Sequence, residues 1–270
     1  MIYRNLGMAI AALALTISGA AGCGGPGASQ RAQTAVSEPI SGVPAWIRDA
    51  VDAPNRSEAD KAIDAGRKPA ETLAFFRVRP GMKVAELGVG GGYTSELLAR
   101  AVGKSGHVYG QNSQFLLERF AEKPWSERLA KPEMANVTRL DRPFDAPFPE
   151  DLKDLDLAVN VLFYHDTYWQ EVDRAAMNAA IYAALRPGGL YGIVDHSARA
   201  GDGATAVKTF HRIEEHLVRE EIEAAGFTLI DQADFLRNPA DTRDWNDAPS
   251  AAGDRRGTSD RFVLLFAKPL

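Results

Sequence analysis

The sequence predicts an α/β fold: a Rossmann-like, doubly wound sheet of seven strands whose last strand is antiparallel. Short apolar runs alternate along the chain with longer segments of helical periodicity, which is typical of a parallel sheet covered by helices on both faces. The last two apolar runs, 227–231 and 261–267, have no helical segment between them. They can therefore pair as a hairpin, which makes the final strand antiparallel.

Caps and turns delimit the first half of this predicted fold. Ser57 is a suitable N-cap with acidic residues in the turn that follows, so it begins a helix. A turn at Pro80 and Gly81 separates this helix from the first strand, which runs into a glycine-rich loop. The predicted elements are helices 57–76, 93–102 and 115–122 and strands 83–87, 106–111 and 137–140.

The second half begins with an apolar run that predicts the fourth strand. The helix after it stops at the turn Arg186–Gly189, and the next helix ends at Gly226. Residues 238–260 are rich in Asp, Arg, Pro and Gly, which predicts a polar loop between the last two strands. The predicted elements are strands 155–162, 190–194, 227–231 and 261–267 and helices 168–185 and 208–225.

Composition excludes several classes of protein. The chain has 270 residues, of which 45% are hydrophobic and 25% charged, values typical of a globular protein. Its net charge of −5 disfavours broad nucleic-acid binding, which needs a basic face to displace counterions. The single cysteine, Cys23, excludes an internal disulfide and a cysteine-based zinc cage.

The N-terminal residues predict an export signal followed by a lipid anchor. Residues 1–22 combine a positive charge, a short apolar run and a string of small residues, as in a secretory signal peptide. The segment Ala20–Cys23 resembles a bacterial lipobox, although the commonest form has Leu three residues before the cysteine. We therefore expect a lipidated Cys23 on the periplasmic side of a bacterial membrane, a flexible tether over 23–45 and a domain over 46–270. Ordinary signal cleavage that leaves an incidental free thiol is the alternative.

A glycine-rich loop, Gly88–Gly92, follows the first strand at the carboxyl end of the sheet, where α/β folds bind ligands. Glycine permits positive φ and lets a ligand approach the backbone closely. The dinucleotide fingerprint requires a glycine where this chain has Tyr93, which disfavours a nicotinamide cofactor. The loop therefore predicts a ligand site, with a tight strand-to-helix turn as the alternative.

From about Pro69 to its last residue, the chain resembles the class I S-adenosylmethionine-dependent methyltransferases. Val84–Gly92 fits their first motif, an acidic residue followed by alternating glycines, and Leu185–Gly189 fits the turn before their fifth strand. More narrowly, the chain resembles a group of secreted bacterial predicted methyltransferases. The shared features are Arg56-Ser57-x-x-Asp60, Asp64-x-x-Arg67-x-Pro69, Tyr164-His165-Asp166, Asp195-His196-Ser197 and His211-Arg212-Ile213.

The resemblance implies that S-adenosyl-L-methionine is the cofactor and that Glu86 and the loop glycines border its methionine and ribose parts. Asn112 stands where the family usually has an acidic residue for the ribose hydroxyls, and its amide oxygen can accept a hydrogen bond without charge. Asp141 is the candidate acceptor for the adenine amino group, with a surface aspartate as the alternative. The expected cofactor-binding residues are Glu86, Gly88, Gly90, Gly92, Tyr93, Asn112, Asp141 and Asn160.

Polar side chains follow two strands that should be neighbours in the sheet. His165 and Asp166 come after the fourth strand, and Asp195 and His196 come after the fifth. These four side chains can converge over the methyl group of the cofactor. His211 lies near the start of the next predicted helix, and helical spacing from apolar residues further along can point it inward. The five residues form the predicted catalytic set.

Three interpretations of this set are open. One histidine can be a general base for a hydroxyl or amine acceptor, with an aspartate fixing its tautomer. The set can instead bind a divalent metal that orients an acceptor oxygen. The spacing matches no known metal signature, so we expect no bound metal. The third interpretation is capping and loop hydrogen bonding, which suits one residue better than five.

Two further groups of residues have two interpretations each. Charged residues recur at helical spacing from Arg56 to Arg67 and form either a solvated face laced with ion pairs or a lid over the cofactor pocket. The aromatic residues Tyr164, Tyr168 and Trp169 either wall an acceptor pocket or pack in the core.

The sequence therefore predicts an exported, lipid-anchored enzyme that transfers a methyl group from S-adenosylmethionine to a small-molecule acceptor. We expect no nucleic-acid partner, and contact with a membrane only through the N-terminal anchor. The alternative is a non-catalytic periplasmic binding protein that kept the methyltransferase fold, since a fold does not establish its chemistry. The signal keeps this alternative open, because it directs the chain away from the cytoplasm, where the cofactor is made.

Overall fold

The computed structural model describes residues 36–270 of the chain. The expected signal peptide over 1–22, the lipidated Cys23 and most of the tether over 23–45 lie outside the described residues. The first described helix begins at Ala45. Within the part of the chain that the structure describes, no helix is both long and apolar enough to cross a bilayer.

Seven strands form one sheet. They are β1 (Lys83–Leu87), β2 (His107–Asn112), β3 (Val137–Asp141), β4 (Leu155–Val161), β5 (Leu185–His196), β6 (Thr228–Ala233) and β7 (Arg261–Ala267). Their order is β3-β2-β1-β4-β5-β7-β6, with β1 to β5 parallel to one another and β7 antiparallel to both β5 and β6. This confirms the predicted fold class. The strand order reverses between β1 and β4, and ligands bind such sheets outside the carboxyl ends of the strands at that point.

Helices cover both faces of the sheet. They are α1 (Ala45–Val51), α2 (Glu58–Arg67), α3 (Pro69–Phe75), α4 (Tyr93–Val102), α5 (Gln114–Leu116), α6 (Glu122–Leu129), α7 (Asp166–Trp169), α8 (Arg174–Ala184), α9 (Val207–Phe210) and α10 (Glu215–Ala224). Alternate strand residues enter two apolar layers, so Val84 packs in the layer of Leu97 from α4 and Ala85 packs in the layer of Ile181 from α8.

The helix predicted over 57–76 is in fact two helices. Lys68 adopts a left-handed conformation with φ of +43°, which ends α2. Pro69 then starts α3, because a proline has no backbone N–H to continue the preceding helix. The helix predicted over 168–185 is also divided, since α7 ends at Trp169 and α8 begins at Arg174.

The helix predicted over 208–225 is interrupted at His211. This residue has a left-handed φ of +58°, so α9 stops at Phe210 and α10 starts at Glu215. Between them, Ile213 forms an isolated parallel bridge with Ser197, next to the end of β5. The helical spacing used to orient His211 is therefore wrong, because the backbone break sets its direction instead.

Two other boundaries differ from the prediction. The helix expected to end at residue 122 continues to Leu129 through a π-helical segment, Leu117–Ala121. The fifth strand spans Leu185–His196 and includes the predicted turn at Arg186–Gly189. That turn persists as a bulge, because β4 pairs through Leu155 before it and through Leu157 after it.

Candidate functional site

The glycine-rich loop joins β1 to α4 and is open at one position. Gly88, Gly90 and Gly92 have φ of +67°, +56° and +86°, conformations that glycine adopts without strain. A Cβ at Gly88 would lie 2.3 Å from the ring of Phe163, and one at Gly92 would lie 2.5 Å from Trp125. A Cβ at Gly90 would meet no atom within 4 Å. The loop is therefore packed at its two ends and accessible to a ligand at Gly90.

Asn112, at the end of β2, holds this loop through two hydrogen bonds to the backbone of Gly90. The backbone N–H of Gly90 donates to Asn112 Oδ1 at 2.9 Å, and Asn112 Nδ2 donates to the carbonyl of Gly90 at 3.2 Å. The side chain is fully buried. Its carboxamide, expected to accept from ribose hydroxyls, is thus occupied in holding the conformation of Gly90.

Two further polar residues expected at the cofactor, Asp141 and Asn160, lie at the ends of β3 and β4. Asp141 accepts two hydrogen bonds from Arg139 Nε, at 2.7 and 2.9 Å, on the edge of the sheet. Asn160 is fully buried, and neither atom of its carboxamide has a hydrogen-bond partner of normal geometry within the described chain. Asp141 is thus committed to an ion pair, whereas the buried polar atoms of Asn160 are unsatisfied.

Glu86 points from β1 toward the start of α4. It is buried and accepts a short hydrogen bond from Ser95 Oγ. Burial raises the pKa of Glu86 to about 7, against the opposing effects of hydrogen bonds from Ser95 and Thr94 and the charges of Arg67 and Arg128. The carboxyl group therefore lies under the N-terminal turn of α4, beside the loop rather than in its open part.

The pKa of Glu86 gives a pH-dependent prediction for stability. Because the folded state keeps this proton up to about pH 7 and a free Glu loses it near 4.5, folding becomes less favourable as the pH rises between these values. Glu86→Gln removes the effect. The difference in unfolding free energy between the variant and wild type should therefore shift by about 3 kcal/mol in favour of the variant from pH 4.5 to pH 8. Denaturant titrations at both pH values measure this.

Glu127→Gln is the control for the loss of one acidic group, since the Glu127 side chain is 67% exposed. If the Glu86→Gln and wild-type curves of unfolding free energy against pH run parallel, the inference that buried Glu86 keeps its proton to about pH 7 is wrong.

Helix α2 is clamped onto the start of α4. Tyr93 Oη donates to Asp64 Oδ1 at 2.6 Å, and Arg56 makes a bidentate ion pair with the same carboxylate. The guanidinium of Arg67 lies over the Tyr93 ring, 4.7 Å from its centroid. Asp60 accepts from Arg128, which also donates to the carbonyl of Gly91 in the loop. Asp60, Asp64 and Arg67 of α2 thus contact side chains of α4 and α6, whereas Glu58 and Lys61 form an exposed ion pair within α2.

The five predicted catalytic residues come together at the ends of β4 and β5. Asp195 accepts from both the backbone N–H and Nδ1 of His165, at 2.8 and 2.6 Å. His165 Nε2 lies 3.3 Å from Asp166 Oδ1, and His211 Nδ1 lies 3.6 Å from the same oxygen. The His165 ring centroid is 4.1 Å from that of His211 and 5.5 Å from that of His196. We call these five residues the His/Asp cluster.

Two residues that the sequence did not single out complete the cluster. His196 Nδ1 forms a short contact with Asp247 and lies 2.9 Å from Ser259 Oγ. Both partners belong to the region between β6 and β7, where only a polar loop was expected. No local pattern distinguishes Asp247 from the other acidic residues of that loop, so only the tertiary fold reveals it.

Charge in the cluster is unevenly distributed. Burial lowers the pKa of His165, but the carboxylates of Asp195 and Asp166 outweigh it and raise the pKa to about 10. Burial, reinforced by the charge of His165, lowers the pKa of His211 to about 4. Burial also lowers the pKa of His196, against its ion pair with Asp247. In the absence of a ligand, positive charge therefore concentrates on His165, between two carboxylates.

A cavity opens beside the cluster. Its volume is about 470 Å³, within the usual range for small-molecule sites. His196, His211 and Asp247 line one side, and Ile63 and Gly66 of α2 line the other. A small molecule bound there would touch the cluster through its two less charged histidines.

A second cavity lies beyond the ends of β2 and β3. It has a volume of about 420 Å³ and is lined by Ser113, Phe115, Phe144 and Trp169, among others. Phe115 and Trp169 meet edge to face at 5.6 Å between ring centroids. Aromatic walls of this kind suit a flat heterocycle.

The aromatic residues that flank His165 divide into two roles. The hydroxyls of Tyr164 and Tyr168 donate hydrogen bonds to Glu221 of α10, at 2.9 and 2.7 Å, and so join the segment after β4 to α10. Trp169 lines the second cavity and donates Nε1 to Asp166 Oδ1 at 2.6 Å. Trp169 therefore links the second cavity to the His/Asp cluster.

The strand order, the open loop after β1 and the antiparallel β7 define the class I methyltransferase fold, and comparison with solved structures shows the same fold. A SAM-dependent methyltransferase from Aquifex aeolicus superposes with a TM-score of 0.55 at 19% identity, covering 77% of this chain and 95% of its own. Aeropyrum pernix fibrillarin, solved with bound S-adenosyl-L-methionine, gives 0.50 at 14% identity over 76% of each chain. The [4+2]-cyclase SpnF gives 0.54 at 17% identity, covering 86% of this chain and 89% of its own.

Sequence comparison adds a match to part of the chain. Residues 47–138 match the model of the protein-L-isoaspartate(D-aspartate) O-methyltransferase family. That range includes α2, the glycine-rich loop and Asn112. Comparison with the sequences of curated proteins gives no match.

Proposed function

We propose that this protein transfers a methyl group from S-adenosyl-L-methionine to a small-molecule acceptor. The observation that carries the proposal is the open position at Gly90, at the carboxyl end of β1, on a methyltransferase fold with a buried His/Asp cluster at the ends of the next two strands, β4 and β5. The residues present fit the cofactor, because the space that a Cβ at Gly90 would enter is empty and a ligand can approach the backbone there. The family match over residues 47–138 supports the same proposal.

The residues of this chain position the cofactor and the acceptor. The backbone of Gly90, held by Asn112, offers close approach to the cofactor, and the aromatic cavity at Phe115 and Trp169 suits its adenine ring. S-adenosyl-L-methionine, when bound, supplies an electrophilic methyl group on a sulfonium. Holding an acceptor in line with that group provides most of the acceleration in such a displacement.

The acceptor lies in the 470 Å³ cavity between α2 and the His/Asp cluster. Its nucleophilic atom forms the new bond to the methyl carbon, the bond from carbon to sulfur breaks with its electrons going to sulfur, and the acceptor loses a proton. The side of the cluster at His196 and His211 receives that acceptor, and the imidazole of one of these two histidines takes its proton, which contributes a further ~10²–10⁴-fold. The cavity and the net charge of −5 support a small molecule as acceptor and not a nucleic acid.

Methyl transfer is tested with the full chain and S-adenosylmethionine that carries an isotopically labelled methyl group. Incubation with a small-molecule extract of bacterial cells should label one or a few compounds and release S-adenosylhomocysteine in equal amount. Mass spectrometry identifies both products. Cofactor binding without labelled product in any extract would contradict the enzyme and favour a binding protein.

A non-catalytic binding protein is the second candidate, and one observation favours it. Asn112 uses its carboxamide on Gly90, so the end of β2 offers no charged acceptor to ribose hydroxyls. The fold also occurs in the [4+2]-cyclase SpnF. Such a protein would bind an adenosine-like metabolite in the same cleft and return it unchanged.

We propose that the domain is exported and held at the periplasmic side of a membrane by a lipid on Cys23. The signal-like residues 1–22 and the lipobox-like Ala20–Cys23 support this proposal. Cys23→Ser should move the protein from the membrane fraction to the soluble periplasmic fraction, because a lipid chain needs the thiol for attachment. Cell fractionation with metabolic fatty-acid labelling measures this. A Cys23→Ser protein that stays with the membrane, or an unlabelled wild type, would contradict the anchor.

A further inference from the structure

We propose that His165, Asp166 and His211 form a binding site for a single divalent transition-metal ion. Each residue offers one ligand atom, and these atoms all lie within 4.8 Å of one another. Asp166 Oδ1 lies between the two histidines, 3.3 Å from His165 Nε2 and 3.6 Å from His211 Nδ1. Two imidazole nitrogens and one carboxylate oxygen are a common ligand set for such ions.

His165 is the ligand that points most directly to a missing partner. It is fully buried, and within the described chain its Nε2 makes no hydrogen bond of normal geometry, with Asp166 Oδ1 3.3 Å away. Its other nitrogen, Nδ1, lies 2.6 Å from Asp195 Oδ1. A carboxylate on the far nitrogen of a metal-bound histidine orients the ring and makes it a better ligand. Metal binding would displace the proton from Nε2, and with Asp195 holding Nδ1 the freed lone pair would face the space shared with Asp166 and His211.

The two remaining ligands are placed by local structure. Trp169 Nε1 donates to Asp166 Oδ1 at 2.6 Å, which fixes the carboxylate at the start of α7. The left-handed conformation of His211, with φ of +58°, breaks the chain between α9 and α10 and turns the ring toward the cluster. In an uninterrupted helix the His211 side chain would point in a different direction, so its position beside His165 depends on this break.

The donor set and the open side of the site indicate the class of ion and its use. Magnesium and calcium prefer ligand sets made of oxygen alone, whereas imidazole suits zinc, cobalt and iron. Three protein ligands leave at least one position free, and His211 lines the acceptor cavity. If the proposed methyl transfer is correct, an acceptor oxygen would take that position, and the ion would ease loss of its proton. The binding site itself does not depend on that reaction.

Cobalt(II) is the probe, because its visible absorption reports the ligand geometry without any enzyme assay. The full chain, carrying Cys23→Ser to remove its only thiol, is stripped with a chelator and titrated with cobalt(II) by absorbance and calorimetry. We expect one ion per chain and its displacement by zinc. His211→Gln and Asp166→Asn should each weaken binding by more than the roughly 10–100-fold that loss of an outer partner costs. His216→Gln, at a side chain 71% exposed, is the matched control and should bind as wild type.

The proposal is overturned if the folded chain binds neither cobalt nor zinc, or if His211→Gln and Asp166→Asn both bind like wild type. Circular dichroism verifies that each variant is folded. The outcome is independent of the proposed function, because S-adenosylhomocysteine binding is measured separately on the same samples. Cofactor binding without cobalt binding would leave the His/Asp cluster as a hydrogen-bonded, metal-free set.

Discussion

Gly90→Arg is expected to abolish binding of S-adenosylhomocysteine while the protein stays folded. Gly90 is the one position of the glycine-rich loop where a side chain meets open space, so arginine would fill the space that the ligand needs. Its left-handed backbone adds a cost of about 1–2 kcal/mol, which is too small to unfold a typical domain. Calorimetric titration should show a loss of at least about 100-fold in affinity, since the substitution blocks the ligand directly.

Gly42→Arg is the matched control for this variant. Gly42 has a similar φ of +67°, also meets no atom within 4 Å, and precedes α1 well away from the loop in sequence. It should carry the same backbone cost and bind S-adenosylhomocysteine like wild type. Equal affinity of Gly90→Arg and Gly42→Arg would mean that the ligand does not approach the loop at Gly90.

Asp195→Ala should lower the free energy of unfolding by about 3–5 kcal/mol, the usual cost of removing one partner of a buried ion pair. Asp195 is fully buried and accepts from the backbone N–H of His165, from His165 Nδ1 and from the backbone N–H of His196. The substitution leaves all three donors without this acceptor at a fully buried position. Urea unfolding followed by circular dichroism measures the loss.

Asp141→Ala provides the comparison, because Asp141 is likewise a paired carboxylate near the end of a strand, but its partner is Arg139 and its side chain is 40% exposed. Exposed ion pairs contribute about 0–1 kcal/mol, so this variant should be nearly as stable as wild type. Similar losses for Asp195→Ala and Asp141→Ala would contradict the buried hydrogen-bonded role of Asp195.

The sheet and the loop could be predicted because their signals are local. Apolar runs of strand length, the glycines between residues 88 and 92, and the missing helix between the last two strands are all visible in the sequence. The parallel arrangement then places the ends of β4 and β5 side by side, which is why His165 and Asp195 could be expected to meet. The order of the elements along the chain and the types of residue were sufficient to predict the sheet, the loop and the meeting of His165 and Asp195.

The details of the site depend on contacts between distant segments. His211 was expected in a continuous helix, and its left-handed break is stabilised by packing that no local pattern encodes. Asp247 belongs to a polar loop and reaches His196 only because β7 returns beside β5. Asn112 was expected to face a ligand, but its fit beneath Gly90 follows from how β2 pairs with β1.

The central claim is that this chain binds S-adenosylmethionine at the carboxyl end of β1, and calorimetric titration of the full chain tests it most directly. We expect saturable binding of both S-adenosylmethionine and S-adenosylhomocysteine, with one molecule per chain, retained in Gly42→Arg and lost in Gly90→Arg. A folded protein that binds neither compound would contradict the claim and leave only a methyltransferase fold with another ligand.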